Sequence, residues 1–199
     1  MTIDIGYKYG TLAGEKLYMS DEPSDVLLVW AGGGFLYRWD LESLGKHIHD
    51  GEIKPKCNVL MPFCKSGKSL AEVAKTDIEL SILAAMDEIR HNAKLRLCGY
   101  SMGSNAVQNW LNAGLRCDRF SLLSNFPPGW YKCGKVPLDV PARFYFGGSE
   151  KSHVQPWRTL CDMFTDADYF PVGHLDHGQM ARKFWLSPDG RGLMEWMEE

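Results

Sequence analysis

A serine between two glycines is the feature of this sequence that most directly indicates chemistry. The pattern G-x-S-x-G occurs at Gly99-Tyr100-Ser101-Met102-Gly103, after the apolar run Leu95–Gly99 and before a helical pattern over Ser104–Ala113. A sharp turn from strand to helix would expose the Ser101 hydroxyl, and the glycines leave room where side chains would clash. The backbone N–H of Met102 and the positive end of the helix can then stabilise an oxyanion. The pattern predicts that Ser101 is a nucleophile, and the alternative is a glycine-rich turn whose serine caps the helix.

A run of three glycines after an earlier predicted strand is suited to complete an oxyanion hole. Such a hole needs a second backbone N–H, which comes from the loop after an earlier strand. Glycines in that loop let the backbone approach a substrate oxygen closely. We predict Gly33 as the second donor, and the alternative is an ordinary flexible loop. The residues predicted to contact substrate are Gly32, Gly34, Phe35, Tyr100 and Trp130.

These segments resemble the α/β-hydrolase superfamily over most of the chain, from Asp25 to the C-terminus. The segment Ala31-Gly32-Gly33-Gly34-Phe35 is similar to the H-G-G-G-F segment of the hormone-sensitive-lipase-like esterases, with Ala31 where those have histidine. The segment Met61-Pro62-Phe63-Cys64 does not match the D-Y-R-x-x-P-E pattern of that branch, so the resemblance assigns the superfamily and leaves the branch open. The resemblance implies an α/β-hydrolase fold and a serine hydrolase.

The resemblance also implies an acid and then a histidine after the serine. The stretch Ala142–Glu150 is similar to the strand-G-x-x-D pattern of the superfamily and puts Glu150 in the place of the acid. Rival carboxylates are Asp162, Asp166 and Asp168. Gly173-His174 follows the last predicted strand, where superfamily members often carry Gly-His, and this implies that His174 is the base. His177 is the alternative base.

Alternating apolar and amphipathic segments are predicted to position these residues. The predicted strands are Asp25–Trp30, Asn58–Phe63, Leu95–Gly99, Phe120–Leu123, Ala142–Phe146 and Asp168–Val172. The predicted helices cover residues 40–49, 69–93, 104–113 and 154–164, and a last helical region begins at Gly178 and ends near Trp196. Ile3–Tyr9 and Lys16–Met19 are predicted to pair as a hairpin around a turn at residues 10–14.

This order of elements predicts an α/β fold in one domain over residues 1–199. The expected sheet is mostly parallel, with the antiparallel hairpin at its N-terminus and helices on both faces. In such sheets sites lie at the carboxyl ends of the strands. We therefore expect the chemistry just after Trp30, Gly99, Phe146 and Val172.

Composition and charge exclude several classes of protein. The 199 residues are 45% hydrophobic and 12% aromatic, which is too apolar for a disordered chain. The longest apolar stretches fall short of the roughly 20 residues that a membrane span needs. A net charge of −3 without a basic stripe argues against nucleic acid as a partner. The N-terminus lacks the pattern of a signal peptide, which predicts a cytoplasmic protein, and the six scattered cysteines predict buried reduced thiols.

Two further motifs give weaker indications of function than the serine pattern does. His174-Leu175-Asp176-His177 could form half of a zinc site, but the only candidate for a further ligand is His47-Ile48-His49. The segment Lys65-Ser66-Gly67-Lys68-Ser69 ends like a phosphate-binding loop, but Pro62 stands where that loop needs its first glycine. We therefore predict neither a metal nor a cofactor.

The chemistry expected from these residues is acyl transfer to water. Ser101 attacks a carbonyl carbon, His174 takes and returns the proton, and Glu150 orients the imidazole. The short segment Ser124–Pro141 leaves no room for a lid of several helices, so we expect an open site with an aromatic rim. Such a site suits a short-chain ester, a thioester or an acyl group on a carrier. The alternatives are a serine peptidase or amidase of the same fold and a catalytically inactive binding protein.

Overall fold

The computed structural model describes residues 12–18, 25–30, 44, 47–48, 50–64, 93–112, 114, 117–123, 139–147, 158–159, 161–172, 179, 185 and 192–199. Among these residues, seven strands form one sheet. The strands are β1 (Leu12–Tyr18), β2 (Val26–Trp30), β3 (Asn58–Cys64), β4 (Leu95–Tyr100), β5 (Arg119–Leu123), β6 (Ala142–Gly147) and β7 (Ala167–Val172). A 3-10 turn at Ser101–Gly103 leads from β4 into helix α1 (Ser104–Asn112), and helix α2 (Leu193–Glu198) lies near the C-terminus.

The strands follow one another across the sheet in the order β1-β3-β2-β4-β5-β6-β7. Strand β1 is antiparallel to β3, and every other neighbouring pair is parallel. The predicted α/β fold with a mostly parallel sheet is confirmed. Strand β4 lies between β2 and β5, so the residue that follows it, Ser101, is held at the middle of the sheet.

The N-terminal part of the prediction needs correction. Strand β1 pairs with β3, with Leu12 opposite Cys64 and Lys16 opposite Leu60. The turn predicted at residues 10–14 is wrong for Leu12–Gly14, which belong to β1. Pairing with a strand more than forty residues away overrides the local preference of Gly14 for a turn. The other half of the predicted hairpin, Ile3–Tyr9, lies outside the described residues.

Helices pack on both faces of the sheet, as predicted. In α1, Val107, Trp110 and Leu111 recur at helical spacing, and their buried side chains pack with those of Leu97 and Phe120. On the opposite face of the sheet, buried residues of α2 pack in a second cluster with residues of β4 and β5. Helix α2 contributes Leu193, Met194, Trp196 and Met197 to this cluster, and the two strands contribute Cys98 and Leu123.

The central strands are mostly apolar because both of their faces are covered. All residues from Leu95 to Gly99 are buried, and so are all residues from Phe120 to Leu123. Among the described residues, no helix has the length and apolar character needed to cross a membrane.

An ion pair between a buried arginine and a partly exposed aspartate lies at the opposite end of the sheet from Ser101. Arg96 in β4 is 1% exposed, and its Nη2 lies 2.7 Å from Oδ2 of Asp25, the residue before β2. The backbone N–H of Lys94 donates to Oδ1 of Asp25 at 2.9 Å. Burial by itself raises the pKa of the Asp25 carboxyl, but these hydrogen-bonding and charged groups outweigh it and lower the pKa below its usual value of 3.8. The pair ties the start of β4 to the start of β2.

Removing only one partner of this pair is expected to be costly. Asp25→Ala leaves the Arg96 guanidinium buried without its counter-charge, and we expect the free energy of unfolding to fall by about 3 kcal/mol. Asp25→Ala/Arg96→Met removes both charges and should recover at least half of that loss. Urea unfolding at pH 7 measures both variants. If the double variant were no more stable than Asp25→Ala, the cost would not come from the unpaired charge.

The difference in stability between the wild type and Asp25→Ala is expected to depend on pH. Because the pKa of Asp25 is lowered in the folded protein, its contribution is present above the unfolded value of 3.8 and is lost as the pH falls through the folded value. The difference in stability between the wild type and Asp25→Ala should therefore be constant near neutral pH and shrink below about pH 4.

Candidate active site

Ser101 lies at the carboxyl end of the central strand in an unusual backbone conformation. It follows β4 directly, begins the 3-10 turn and is half-buried. Its φ is 51°, and it is the only non-glycine residue with a positive φ among the residues that the structure describes. An L-residue in this region costs about 1–2 kcal/mol, and such strain is concentrated at functional sites. The predicted order of strand, sharp turn and helix around Ser101 is confirmed.

Gly99 is required by the close approach of helix α1. A Cβ atom built on Gly99 would lie 2.6 Å from the Cα of Ser104 and 2.8 Å from both the Ser104 nitrogen and the Gly103 carbonyl oxygen. These are backbone atoms, which cannot move aside as the end of a flexible side chain can. Only glycine therefore fits at position 99, the first glycine of the pattern, because any larger residue would push α1 away from β4.

Ser104, the first residue of α1, closes the turn from its far side. Its side chain is completely buried, and its hydroxyl donates a hydrogen bond of 2.9 Å to the carbonyl oxygen of Gly99. The sequence pattern predicts Ser104 only as the start of a helix and not as part of the site. The signal that could have found it is a serine directly after the second glycine, because serine commonly bonds to backbone groups at the start of a helix.

The strands that precede the other predicted site segments in the sequence end on the same side of the sheet as β4. Trp30, the last residue of β2 and the third residue before the predicted Gly33 donor, is in register with Gly99. Strands β6 and β7 end at Gly147 and Val172, and they lie two and three positions from β4. At about 4.8 Å between neighbouring strands, β6 and β7 run roughly 10 and 14 Å from β4 across the sheet. Loops of a few residues can bridge such distances.

Most of the predicted site residues lie outside the described part of the chain, and their roles stay predictions. They are Gly32, Gly33, Gly34, Phe35, Trp130, Glu150, His174 and His177. Met102 lies in the 3-10 turn next to Ser101, where its backbone N–H is predicted to act. Tyr100 ends β4 and packs, half-buried, against the core on the α2 face of the sheet. Its predicted contact with substrate also stays a prediction.

The rival carboxylates lie before β7 or at its amino end, and not at its carboxyl end. Asp166 precedes the strand, and its carbonyl oxygen accepts a hydrogen bond from the Ala142 N–H at the start of β6. Asp168 is the second residue of β7 and is in register with Arg143. Asp162 precedes Asp166 in the chain and therefore also lies before β7 begins. Through the register of β7 with β6, β5 and β4, Asp168 is level with Cys98, and Asp166 lies further still from the carboxyl end of the sheet that carries Ser101.

The cysteines whose side chains the structure describes are unsuited to nucleophilic chemistry. Cys57, Cys98, Cys117 and Cys161 are buried free thiols, as predicted for reduced cysteines. Burial raises the pKa of Cys57 and of Cys161 to about 12, and it raises the pKa of Cys98 and Cys117 as well. Since only the thiolate attacks, these groups are inert near neutral pH. Cys98 is therefore no competitor to Ser101, although it lies three residues away.

The part of the chain that the structure describes contains no cluster of three His, Cys, Asp or Glu residues arranged to hold a metal ion. One member of the histidine pair considered for such a site, His47, instead forms a hydrogen bond through Nδ1 with the Glu52 carboxylate. His49 lies outside the described residues.

No protein-family model matches the sequence. No curated protein matches it significantly. Solved structures do match it, and they include a proposed thioesterase from Silicibacter sp. TM1040, with a TM-score of 0.68 and 14% identity over 100% of this chain and 86% of the other.

Two further neighbours are similar in the same way. A lid-less α/β serine hydrolase from Xanthomonas campestris has a TM-score of 0.63 and 14% identity, over 100% of this chain and 94% of the other. A Pyrococcus furiosus esterase has a TM-score of 0.66 and 14% identity, over 94% of this chain and 86% of the other. At such identities the likeness concerns the fold. Strand order, central serine turn and structural neighbours agree that this chain has the α/β-hydrolase fold.

Proposed function

We propose that this protein is a serine hydrolase that cleaves a carboxylic ester or a thioester through an acyl-enzyme on Ser101. The observation that carries the proposal is the conformation of Ser101. It is held at a φ of 51° on a tight turn between the central strand and a helix, in an α/β-hydrolase fold. A folded protein retains such strain where a side chain must be presented in one orientation.

The proposed mechanism uses two successive acyl transfers. Ser101 Oγ attacks the carbonyl carbon while His174 takes its proton, and the same imidazole returns the proton to the leaving group. Glu150 holds the imidazole in the required tautomer and stabilises its charged form. The N–H groups of Met102 and Gly33 stabilise the tetrahedral oxyanion. Water then releases the acid from Ser101 by the same route, and no cofactor is needed.

The direction of the strands supports Glu150 as the acid. Its main rivals, Asp166 and Asp168, lie at the amino end of β7, whereas Ser101 follows the carboxyl end of β4. Strand β6 ends at Gly147, at the same end of the sheet as Ser101, and Glu150 comes three residues later in the sequence, which supports an acid from the segment after β6. A carboxylate must come from such a loop to reach an imidazole beside the serine.

The proposed substrate is a small acyl group, free or displayed on a carrier. Strand β5 ends at Leu123 and β6 begins at Ala142, so the chain between them is short. A long lid is not expected from so short a segment. The structural neighbours from Silicibacter and Xanthomonas are described as a proposed thioesterase and as a serine hydrolase without a lid. Both descriptions are compatible with an open site for short esters or thioesters.

A fluorophosphonate probe tests the proposal directly. The purified wild-type protein is treated with the probe, digested and analysed by mass spectrometry, and we expect the adduct on Ser101. His174→Ala is expected to lose labelling and His177→Ala to keep it, with circular dichroism to verify that both variants fold. If the folded wild type is not labelled, Ser101 is not activated and the proposed function is wrong.

A further inference from the structure

Ser104 holds a position from which it can control the geometry of the nucleophile. It is the third residue after Ser101, and its hydroxyl bonds to the carbonyl oxygen of Gly99, the second residue before Ser101. The hydrogen bond therefore spans the whole turn that carries Ser101. The Ser104 side chain is completely buried, so water does not compete with it for this bond.

The turn needs a restraint of this kind because its backbone is strained. Ser101 has a φ of 51°, which a chain of L-residues leaves unless the surrounding structure prevents it. On one side of the turn β4 is held by pairing with β2 and β5, and on the other side α1 packs against the sheet. The bond between Ser104 and Gly99 is a direct polar link between these two supports.

We propose that Ser104 is a positioning residue for the nucleophile. Its hydroxyl holds the end of β4 and the start of α1 together and so fixes the orientation of the Ser101 hydroxyl toward the base and the substrate. Ser104 does not touch the reacting atoms in this role. The inference rests on the proposed function, because positioning affects a rate only if Ser101 reacts.

A second buried serine provides a matched control. Ser121 lies in the adjacent strand β5, in register with Cys98, and is also completely buried. Its Oγ has no hydrogen-bond partner among the described residues. Ser104→Ala and Ser121→Ala therefore remove the same atom from equally buried sites, and only the first removes the link across the serine turn.

The test compares the rates of fluorophosphonate labelling and of ester hydrolysis at a temperature where all variants are folded. We expect Ser104→Ala to lower the labelling rate and kcat at least tenfold, with KM and the pH profile of kcat/KM unchanged. Ser121→Ala should stay within about twofold of the wild type, and Ser104→Cys, which keeps a weak donor, should lie in between. A merely structural role would lower the unfolding temperature of Ser104→Ala without changing kcat of the folded enzyme.

The outcomes separate the two proposals. If the wild type reacts and folded Ser104→Ala reacts as fast, the positioning role is wrong and the proposed function stands. If the folded wild type does not react at all, the proposed function fails and the positioning role fails with it. If Ser104→Ala does not fold, Ser104→Cys replaces it in the comparison, and a rate equal to that of the wild type overturns the inference.

Amide hydrogen exchange adds a readout that needs no reactivity. Loss of the link should speed exchange of the amides in the Ser101–Gly103 turn in Ser104→Ala, whereas Ser121→Ala should leave them at the wild-type rate. Equal exchange in the two variants would contradict the proposed restraint.

Discussion

Replacing Ser101 with alanine is expected to abolish fluorophosphonate labelling and to lower kcat for an activated short-chain ester by about 10⁶-fold, to the level left by the oxyanion hole alone. The reason is that the hydroxyl oxygen itself forms the bond to the acyl group, so no neighbouring group can replace it. The measurement is release of p-nitrophenol from p-nitrophenyl acetate, with denatured protein as the blank. Retention of more than about one per cent of the wild-type rate would place the chemistry elsewhere in the protein.

A second replacement at the same position separates chemistry from backbone strain. Ser101→Gly also removes the hydroxyl and should be equally inactive, but glycine adopts a positive φ without steric cost. Since the φ of Ser101 is 51°, we expect Ser101→Gly to be more stable than Ser101→Ala by about 1 kcal/mol. For a chain of this size that difference corresponds to about 2–4 °C in Tm. Equal unfolding temperatures for the two variants would mean that the turn is not strained.

Gly99→Ala is expected to have the largest effect on the structure of the site. The added Cβ would lie within 2.8 Å of three backbone atoms of Gly103 and Ser104, so α1 would have to shift away from β4. We expect a loss of about 3 kcal/mol or more in the free energy of unfolding. Any folded fraction should be labelled at least a hundredfold more slowly, because the turn that presents Ser101 is displaced. Urea unfolding and the labelling rate measure the two effects.

Gly114→Ala is the control for this experiment. Gly114 has a φ of 70°, and a Cβ added there would meet no atom of the described residues within 4 Å. Its replacement should therefore cost only the conformational strain of about 1 kcal/mol and leave labelling of Ser101 unchanged. If Gly99→Ala were no less stable than Gly114→Ala, the contact between Gly99 and the start of α1 would not be as close as the structure describes.

The elements around the serine could be predicted because their signals are local. The apolar run of β4, the two glycines and the helical pattern after Ser104 lie within about twenty consecutive residues. Strand β1 was misplaced because its partner, β3, lies far along the chain, and no local pattern in Leu12–Gly14 indicates that pairing. Local propensity gives way in such cases to the pairing of strands.

Two properties of the site depend on the three-dimensional arrangement of the strands and helices, which the sequence does not show directly. The sequence left Asp162, Asp166 and Asp168 as rivals of Glu150, and only the direction and register of the strands show that Asp166 and Asp168 lie at the amino end of β7 and not at its carboxyl end. The hydrogen bond from Ser104 to Gly99 likewise depends on how closely α1 approaches β4. The choice between His174 and His177 stays a prediction, because both residues lie outside the described part of the chain.

The strand order has a consequence for how the site is assembled. The sheet divides between β4 and β5 into two pieces, each built from one continuous stretch of chain: residues 12–100 form β1-β3-β2-β4, and residues 119–172 form β5-β6-β7. The two pieces meet along a single seam, whose pairs run from Arg96 and Arg119 to Tyr100 and Leu123. The proposed nucleophile follows the last strand of the first piece, whereas the proposed acid and base follow strands of the second. Neither half of the chain carries the proposed machinery alone, so a split version of this protein would report the rejoining of its halves by the reactivity of Ser101.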